Sequence, residues 1–350
     1  MRERVKITDL AKELGVSTTT ISRALSNEGR IGAKTKASVL ELAKKWGYKP
    51  NPFAVNLLKK KSKMIGLIVP EFTHHYFARV LNGVNKVVND NGYQLIINIH
   101  QGSRKKEEEC INLLSGMRVD GIIASYARET ANFDHYLDAF EDNVPLVFVD
   151  RMCEDLDTSY VISDDFDGCI QSINQLVKSG SKKIAHIAGP ENLSTSFTRL
   201  MGYKEGLKIN HLEENENLIL SSDDPSWKLK LEKLIDENEV DGVLAYTDYV
   251  AFDITQMMLN AGKRVPEDLA IIGFADEPIA QHMTPKLSTI QQPAELMGAR
   301  AAEILMWHIE NPDSAKVFCE SLPTELINRE TTVKKKPVRK LQSSMKLLAS

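Results

Sequence analysis

The first 49 residues show the apolar spacing of three short helices. Their apolar positions are Leu10, Ala11 and Leu14, then Ile21, Ala24 and Leu25, and then Val39, Leu40, Leu42 and Ala43. Gly15, which tolerates positive φ, ends the first helix, and Ser17 can cap the second. Two short helices joined by Gly15-Val16 are typical of a helix-turn-helix, so we predict an all-α headpiece over residues 1–49.

A short connector follows the headpiece. Pro50 and Pro52 prevent the third helix from continuing. Residues 53–60 provide only about two helical turns, which is too short for a helix that is stable alone. We therefore predict a hinge linker over residues 50–63 that orders only on binding.

From residue 64 onward, apolar runs alternate with amphipathic stretches. The apolar runs are residues 64–70, 93–99, 119–125, 145–150, 159–163, 183–189, 218–222, 242–247 and 269–275. Helical stretches lie between most of them, at residues 76–91, 105–117, 133–142, 167–179, 195–210, 226–237 and 248–261. Buried strands that alternate with helices indicate doubly wound parallel sheets. Because residues 64–333 are too many for one such sheet, we predict an α/β body of two lobes with a ligand between them, at the carboxyl ends of the strands.

Charge is distributed unevenly along the chain, although the net charge is only -4. Residues 1–63 carry +10, residues 64–333 carry -20 and residues 334–350 carry +6. A basic end on an acidic body is typical of a nucleic-acid-binding protein, although a solubilising basic face would give the same counts. The acidic body should repel DNA and confine phosphate contacts to the basic end. The basic tail, residues 334–350, has barely one heptad of apolar spacing and is predicted to be disordered.

Composition and motifs narrow the class of protein further. Hydrophobic residues make up 42% and charged residues 26%, which is ordinary for a soluble globular protein. The four cysteines form no C-x-x-C, the first residues include no apolar signal region, and no apolar run approaches a membrane span, so a cytoplasmic protein without disulfides is expected. The sequence contains no dinucleotide fingerprint after a strand, no P-loop, no G-x-S-x-G and no H-E-x-x-H. We therefore predict no enzyme activity, no catalytic residue, no cofactor and no metal.

Eight motifs follow one another along the chain. They are ITDLAKELGVSTTTISRAL (7–25), WGYKPNPFA (46–54), IGLIVP (65–70), VDGII (119–123), VDR (149–151), RLMGY (199–203), IIGFADEP (271–278) and PKLSTIQQP (285–293). Together they resemble the lactose-repressor/galactose-repressor (LacI/GalR) family of bacterial transcription regulators, and the resemblance covers residues 5–333. It implies a homodimer on a pseudo-palindromic operator, a body like that of periplasmic sugar-binding proteins, and repression. It also implies a small-molecule effector between the lobes, a sugar or sugar derivative, that changes the affinity for DNA.

The resemblance implies a set of DNA contacts in the headpiece. Thr18 and Thr19 follow the capping Ser17 and, with Arg23, would face base edges, where arginine can read guanine through two hydrogen bonds. The alternative for the two threonines is a solvated helix start. Ser17 and Thr35 lie near helix N-termini and would donate to phosphates.

In the linker, Asn51 and Leu57 match the family's pattern. The resemblance implies that Leu57 is a wedge, which hinge helices from two subunits push into a central base step of the minor groove. Alternatively, Leu57 and Leu58 are the apolar face of a linker helix. Val55 departs from the family, in which a polar or basic residue is common, and residues 59–61 (Lys-Lys-Lys) can supply the charge instead.

The resemblance also implies a set of effector contacts in the body. They are Tyr76, Phe77, Asp150, Arg151, Thr195, Arg199, Trp227, Thr247, Asp248, Asp276 and Gln292. Arg199 would grip hydroxyls or a carboxylate, with a structural salt bridge as the alternative. Trp227 would stack on a sugar face, with ordinary core packing as the alternative. Gln292 would close the floor of the pocket.

Two pocket positions depart from the family's pattern. Thr247 stands where Asn is usual, and Ala275 stands where Asp is usual. The neighbouring Asp276 need not point inward. The pocket has thus lost an amide and a carboxylate, which predicts an effector that is larger, less hydroxylated or held through water.

Two other classes of protein share an α/β body. A sugar- or nucleoside-processing enzyme would need a catalytic constellation and would not explain the headpiece. A transport binding protein would need a signal peptide. The sequence therefore favours an effector-controlled transcription regulator.

Overall fold

The computed structural model describes residues 5–26, 31–48, 61–141, 144–153 and 155–333. The chain forms two compact units, residues 1–63 and 64–350. The predictions for Asn51, for Leu57 and for the tail at 334–350 lie outside the described residues, as does most of the hinge linker. They stay predictions.

Three helices are present in the described residues of the headpiece, 5–26 and 31–48, as the apolar spacing predicts. They are α1 (Ile7–Leu14), α2 (Thr18–Ser26) and α3 (Ala33–Trp46). Gly15 adopts the left-handed conformation (φ 65°), and its N–H donates to the carbonyl of Ala11 at the end of α1. Ser17 caps α2, because its Oγ accepts from the N–H of Thr20 at 3.1 Å. The centre of this unit is formed by Leu10, Ala11, Ile21, Ala24, Val39 and Ala43.

The first lobe of the body alternates strands and helices. Its elements are β1 (Met64–Val69), α4 (His75–Asp90), β2 (Gln94–Ile99), α5 (Arg104–Gly116), β3 (Gly121–Ala124), α6 (Asp134–Glu141), β4 (Leu146–Val149) and β5 (Ser159–Ser163). Strands β1, β3 and β4 are almost completely buried, because helices cover both faces of the sheet.

The chain then enters the second lobe, which repeats this pattern. Its elements are α7 (Asp165–Lys178), β6 (Ile184–Ala188), α8 (Ser194–Ile209), β7 (Ile219–Ser221), α9 (Trp227–Asp236), β8 (Gly242–Ala245), α10 (Asp248–Asn260), β9 (Ala270–Phe274) and β10 (Ser288–Gln291), with short 3-10 turns at Glu216–Leu218 and Pro278–Gln281. The nine strands and seven helices predicted between residues 64 and 275 are all present, with ends that differ by no more than two residues.

The last part of the body was not predicted from the sequence. Helix α11 (Ala294–Glu310) returns to the first lobe and packs on α4. The two helix backbones approach closely, since a Cβ on Gly83 would lie 1.9 Å from the carbonyl oxygen of Glu295. Strand β11 (Cys319–Leu322) then joins the first sheet, and β12 (Glu325–Ile327) joins the second.

Both sheets have the same strand arrangement at their centres. The first has the order β11-β5-β4-β3-β1-β2, and the second has the order β12-β10-β9-β8-β6-β7. All pairs are parallel except β10 with β12, so both sheets are dominated by parallel pairs, as predicted, and one edge pair is antiparallel. In each sheet the order reverses beside the first strand of the lobe, and α/β proteins bind ligands at the carboxyl ends of the strands beside such a point.

In the described part of the body the chain crosses between the lobes three times, at residues 164, 292–293 and 323–324. Two of these crossings are tied together, because the N–H of Asp164 donates to the carbonyl of Leu322 at 2.7 Å and the Thr324 hydroxyl donates to the carbonyl of Asp164 at 3.1 Å. The crossings therefore form one hinge region at the base of the cleft between the lobes.

Candidate functional site

The predicted base-reading residues lie on one exposed helix of the headpiece. Thr18, Thr19 and Arg23 are exposed on α2, and Thr19 and Arg23 are separated by one helical turn, which places them on the same side. Ser17 is exposed at the start of α2, and Thr35 is half-buried in the first turn of α3. Four of the five side chains are therefore exposed, Thr35 is half-buried, and the contacts of all five with DNA stay predictions.

A cavity of about 700 Å³ lies between the two lobes of the body. This volume is within the range of small-molecule sites. The cavity brings together nine of the eleven predicted effector residues, namely Tyr76, Phe77, Asp150, Arg151, Thr195, Arg199, Thr247, Asp248 and Gln292. Their ligand contacts stay predictions. The cavity collects residues that follow strand ends, residues in the first two turns of α4 and α8, and Gln292 after β10.

Arg199, on α8, is buried in the wall of this cleft. Its Nε donates to Asp165 Oδ2 at 2.8 Å, and its Nη1 donates to the carbonyl of Tyr246 at 2.5 Å. The guanidinium lies 3.7 Å from the ring centre of Phe274 and 4.7 Å from that of Tyr246. Burial alone would lower the pKa of Arg199, but the Asp165 carboxylate reverses this and leaves the pKa raised. The salt bridge considered from the sequence is therefore present, on a side chain that also faces the cleft.

The floor of the cleft joins two of the crossings. Gln292 Nε2 donates to Ser163 Oγ at 2.7 Å and to Asp165 Oδ1 at 3.2 Å. The Ser163 hydroxyl also donates to Asp165 Oδ1, at 2.5 Å. Asp165 thus connects the floor to Arg199 on the wall, so a ligand that moves Arg199 would act directly on the hinge.

Asp150 and Arg151 follow β4 at the same edge of the cleft. Asp150 is buried and has a positive φ of 72°, which aspartate tolerates better than most residues. Burial raises the pKa of Asp150, and the neighbouring Arg151, whose Nε lies 3.5 Å from Asp150 Oδ2, opposes this shift. Arg151 also donates through Nη1 to the carbonyl of Tyr126. The pair therefore offers a carboxylate and a guanidinium whose charges are already matched.

Asp248 lies deeper in the wall of the cleft, and both its carboxylate oxygens are occupied. Oδ1 accepts from the Thr289 hydroxyl at 2.5 Å, and Oδ2 accepts from the N–H of Glu277 at 2.7 Å. Burial raises the pKa of Asp248 to about 7, although these two hydrogen bonds oppose the shift. The preceding Thr247 caps α10 through its hydroxyl, 3.4 Å from the N–H of Val250. Both residues therefore build the wall as well as face the cleft.

Two predicted effector residues lie elsewhere, and the expectation for them is corrected. Trp227 is buried in the apolar core of the second lobe because α9 packs that face against the sheet, which is the core-packing alternative. Asp276 turns away from the cleft, because Arg329 Nη2 lies 2.7 Å from its Oδ1 and Gln291 Nε2 donates to its Oδ2 at 2.9 Å. The sequence could not show either orientation, since both depend on residues brought in from other elements.

Sequence reasoning missed several residues of the cleft. Phe72, His74, Tyr246, Tyr249, Phe274 and Glu277 also line it. Each lies at or just after the carboxyl end of β1, β8 or β9, so the strand-end rule could have found them. Ala275 stands at the position where the family usually has an aspartate. Glu277, two positions later, places a carboxylate at the cleft instead.

Polar contacts join the two lobes beside the cleft. Ser194, at the start of α8, donates its N–H to the Tyr126 hydroxyl at 3.1 Å and accepts at Oγ from the N–H of Met152 at 3.2 Å. At an exposed position, Arg128 Nη2 lies 2.7 Å from Asp223 Oδ2. The lobes are therefore in contact in this structure.

Other chemistry is sparse in the part of the chain that the structure describes. Within it, no group of three or more His, Cys, Asp or Glu side chains is placed to hold a metal ion. Cys110, Cys153 and Cys169 are buried, and Cys319 is exposed, all as free thiols. Among these same residues, no helix combines the length and the apolar character needed to cross a membrane.

Comparison with known families identifies the class to which the headpiece and body belong. Residues 6–51 match the model for bacterial regulatory proteins of the lacI family, and residues 173–332 match that for a periplasmic binding protein-like domain. The ribose operon repressor of Bacillus subtilis (strain 168) is 33% identical over 330 residues, which cover 94% of this chain and 98% of that protein. These matches define a bacterial transcription regulator with a DNA-binding headpiece and a ligand-binding body. The chain belongs to the LacI family, and its homologues are transcriptional repressors, which confirms the predicted family, fold class and class of function.

Two solved structures show the same architecture. The complex of the transcriptional regulator CelR with cellobiose is 28% identical, has a TM-score of 0.70, and covers 94% of this chain and 100% of that chain. The Lac repressor dimer bound to operator and the anti-inducer ONPF has a TM-score of 0.82 and covers 95% of this chain and 100% of that chain. Because the Lac repressor is only 23% identical, it supports the fold alone.

Proposed function

We propose that this protein is a sequence-specific DNA-binding repressor without enzyme activity that acts in the cytoplasm as a homodimer. Its affinity for operator DNA is controlled by an uncharged polar effector, a sugar or sugar derivative, bound in the cleft. The ribose operon repressor and the CelR–cellobiose complex support this proposal, because both relatives are named for a sugar.

The observation that carries the effector class is the pairing of charges in the cleft. Asp165 partners Arg199, Asp150 partners Arg151, and Asp223 partners Arg128. Because each arginine of the cleft already has a carboxylate beside it, the ligand need not bring a negative charge. Arg199 Nη2 makes no hydrogen bond to the described residues, so it can donate to a ligand hydroxyl.

Aromatic rings from both lobes complete a sugar-like environment. Tyr76 and Phe77 come from the first lobe, and Tyr246 and Phe274 come from the second. Sugars present apolar faces to rings and hydroxyls to charged groups, so this combination suits them. Ala275 also lines the cleft and offers only a methyl group, which favours an effector with an apolar edge or a bridging water at that end.

The proposal predicts that one compound changes both stability and operator binding. A thermal-unfolding screen of pentoses, hexoses, disaccharides and nucleosides should identify a ligand, which at 100 times its Kd stabilises the protein by about 2.7 kcal/mol. That ligand should shift the affinity for DNA from upstream of the protein's own gene, measured by fluorescence anisotropy.

Variants of the headpiece provide the matched controls for this test. Arg23→Ala should reduce discrimination between operator and scrambled duplex by about 1–3 kcal/mol. Lys12→Ala, at an exposed position of α1, should weaken binding to both duplexes about equally and leave discrimination unchanged. Failure of the wild-type protein to bind its upstream DNA under every condition would refute the proposed function.

The open edge of the first sheet predicts where the homodimer forms. Among the described residues, strand β2 pairs with another strand on one side only, and its Ile97 and Ile99 are 43% and 42% exposed. Apolar side chains on an edge strand are usually covered in the functional assembly. Ile97→Lys with Ile99→Lys should give a monomer by light scattering. Oligomeric state is the readout, because Ile99 also lines the cleft and its replacement can change operator affinity by itself. Ile209→Lys, at a 50% exposed position on α8, is the control and should remain dimeric. A dimeric double variant would exclude this edge as the interface.

A further inference from the structure

A carboxylate of the second lobe caps a helix of the first lobe. Glu277 is only 5% exposed, and its Oε2 and Oε1 accept from the N–H groups of His75 at 3.1 Å and Tyr76 at 3.2 Å. These are the first two residues of α4, whose N-cap residue His74 makes no side-chain capping bond. The first N–H groups of a helix have no acceptor within the helix, so Glu277 satisfies two of them and also meets the positive end of the helix dipole.

Several contacts hold Glu277 in this position. Its own N–H donates to Asp248 Oδ2 at 2.7 Å. The two residues before it have positive φ values, 117° at Ala275 and 53° at Asp276, and Arg329 fixes the Asp276 side chain. Such backbone conformations persist only where the surroundings impose them. The turn after β9 is therefore built to deliver the Glu277 carboxylate across the cleft.

A ring contact lies beside the carboxylate and also joins the lobes. The rings of His74, in the first lobe, and Tyr249, in the second, are stacked with centroids 4.2 Å apart. The Tyr249 hydroxyl lies 3.4 Å from Glu277 Oε2 and donates to it. All three side chains line the cleft, so they would be separated from their partners when the lobes move apart.

We propose that Glu277 is a latch between the lobes, a positioning residue that holds the cleft closed by capping α4. When the cleft opens, the Glu277 carboxylate leaves the N-terminus of α4 and becomes exposed to water. The latch raises the fraction of molecules whose lobes are closed, and apparent affinity for a ligand of the closed form rises with that fraction. This last consequence rests on the proposed function, whereas the latch itself does not.

Hydrogen exchange resolved to single amides tests the latch directly in the full-length protein. Because the amides of His75 and Tyr76 have no acceptor inside α4, their protection reports contact with Glu277. Glu277→Ala should accelerate their exchange by about tenfold or more, since each loses a hydrogen bond to a charged group. Glu277→Gln, which keeps the shape and one good acceptor oxygen, should give an intermediate rate. Exchange of both amides at the rate of an unstructured peptide in the wild type, or at an unchanged rate in Glu277→Ala, would overturn the latch.

Asp223→Ala provides the control, because it removes an exposed contact between the lobes that involves Arg128 and leaves α4 untouched. It should leave the exchange of His75 and Tyr76 unchanged. If Glu277→Ala does not fold, the isosteric Glu277→Gln decides the question by the same two amides.

Effector affinity separates a latch from a merely structural cap. Calorimetry should show about tenfold weaker effector binding in Glu277→Ala and partial recovery in Glu277→Gln. If Glu277→Ala accelerates amide exchange at His75 and Tyr76 but leaves effector affinity unchanged, the positioning role is overturned. If no effector exists, the proposed function fails, but the exchange measurement still decides the latch.

Discussion

Raising the salt concentration from 50 to 200 mM should weaken operator binding by about 10³–10⁵. The physical cause is the uneven distribution of charge, since residues 1–63 carry a net charge of +10 and residues 64–333 carry a net charge of -20. Lysine and arginine side chains of the headpiece replace counterions at the phosphates, whereas the acidic body contributes repulsion. A headpiece dimer that makes six to ten phosphate contacts gives this magnitude. The measurement is a titration of operator duplex by fluorescence anisotropy at four or more salt concentrations.

Effector binding supplies the internal control for the salt experiment. The cleft lies in the body, and its arginines are paired with carboxylates of the protein, so effector affinity should change little over the same range. An operator affinity that is flat with salt would contradict the assignment of the basic end as the phosphate-binding region.

Arg199→Ala should nearly abolish the effector response while the headpiece keeps its intrinsic affinity for DNA. Removing a buried charged donor from the cleft costs about 2–5 kcal/mol of ligand affinity. The same change leaves the buried Asp165 without its partner, 2.8 Å away, which costs about 3–5 kcal/mol of folding stability. Calorimetry with the effector and thermal unfolding measure the two losses separately.

A double variant distinguishes the ligand role from the salt bridge. Arg199→Leu with Asp165→Asn removes both charges, and replacing a whole buried ion pair is often close to neutral for stability. We therefore expect the double variant to recover most of the stability lost in Arg199→Ala without recovering effector affinity. If the double variant recovers both stability and effector affinity, Arg199 supports the fold only. If Arg199→Ala binds the effector with unchanged affinity, Arg199 is not part of the binding site.

The sequence by itself determined the local elements and the edge of the sheets at which the cleft lies. Helical spacing with Gly15 and Ser17 defined the helix-turn-helix, because a left-handed residue and a capping hydroxyl act within a few positions along the chain. Alternation of buried strands with helices defined the two lobes. Polar residues just after strand ends, such as Asp150 and Thr247, lie together at one cavity, because parallel strands place their carboxyl ends together.

The tertiary structure decided everything that depends on partners far along the chain. Strands β11 and β12 have only four and three residues, and they are strands because β5 and β10 offer them a sheet edge. Asp276 points away from the cleft because Arg329 attracts it, and Glu277 meets α4 from about 200 positions away. Local periodicity carries no information about such pairings, since the entropy of closing these long loops is recovered only when the whole body packs.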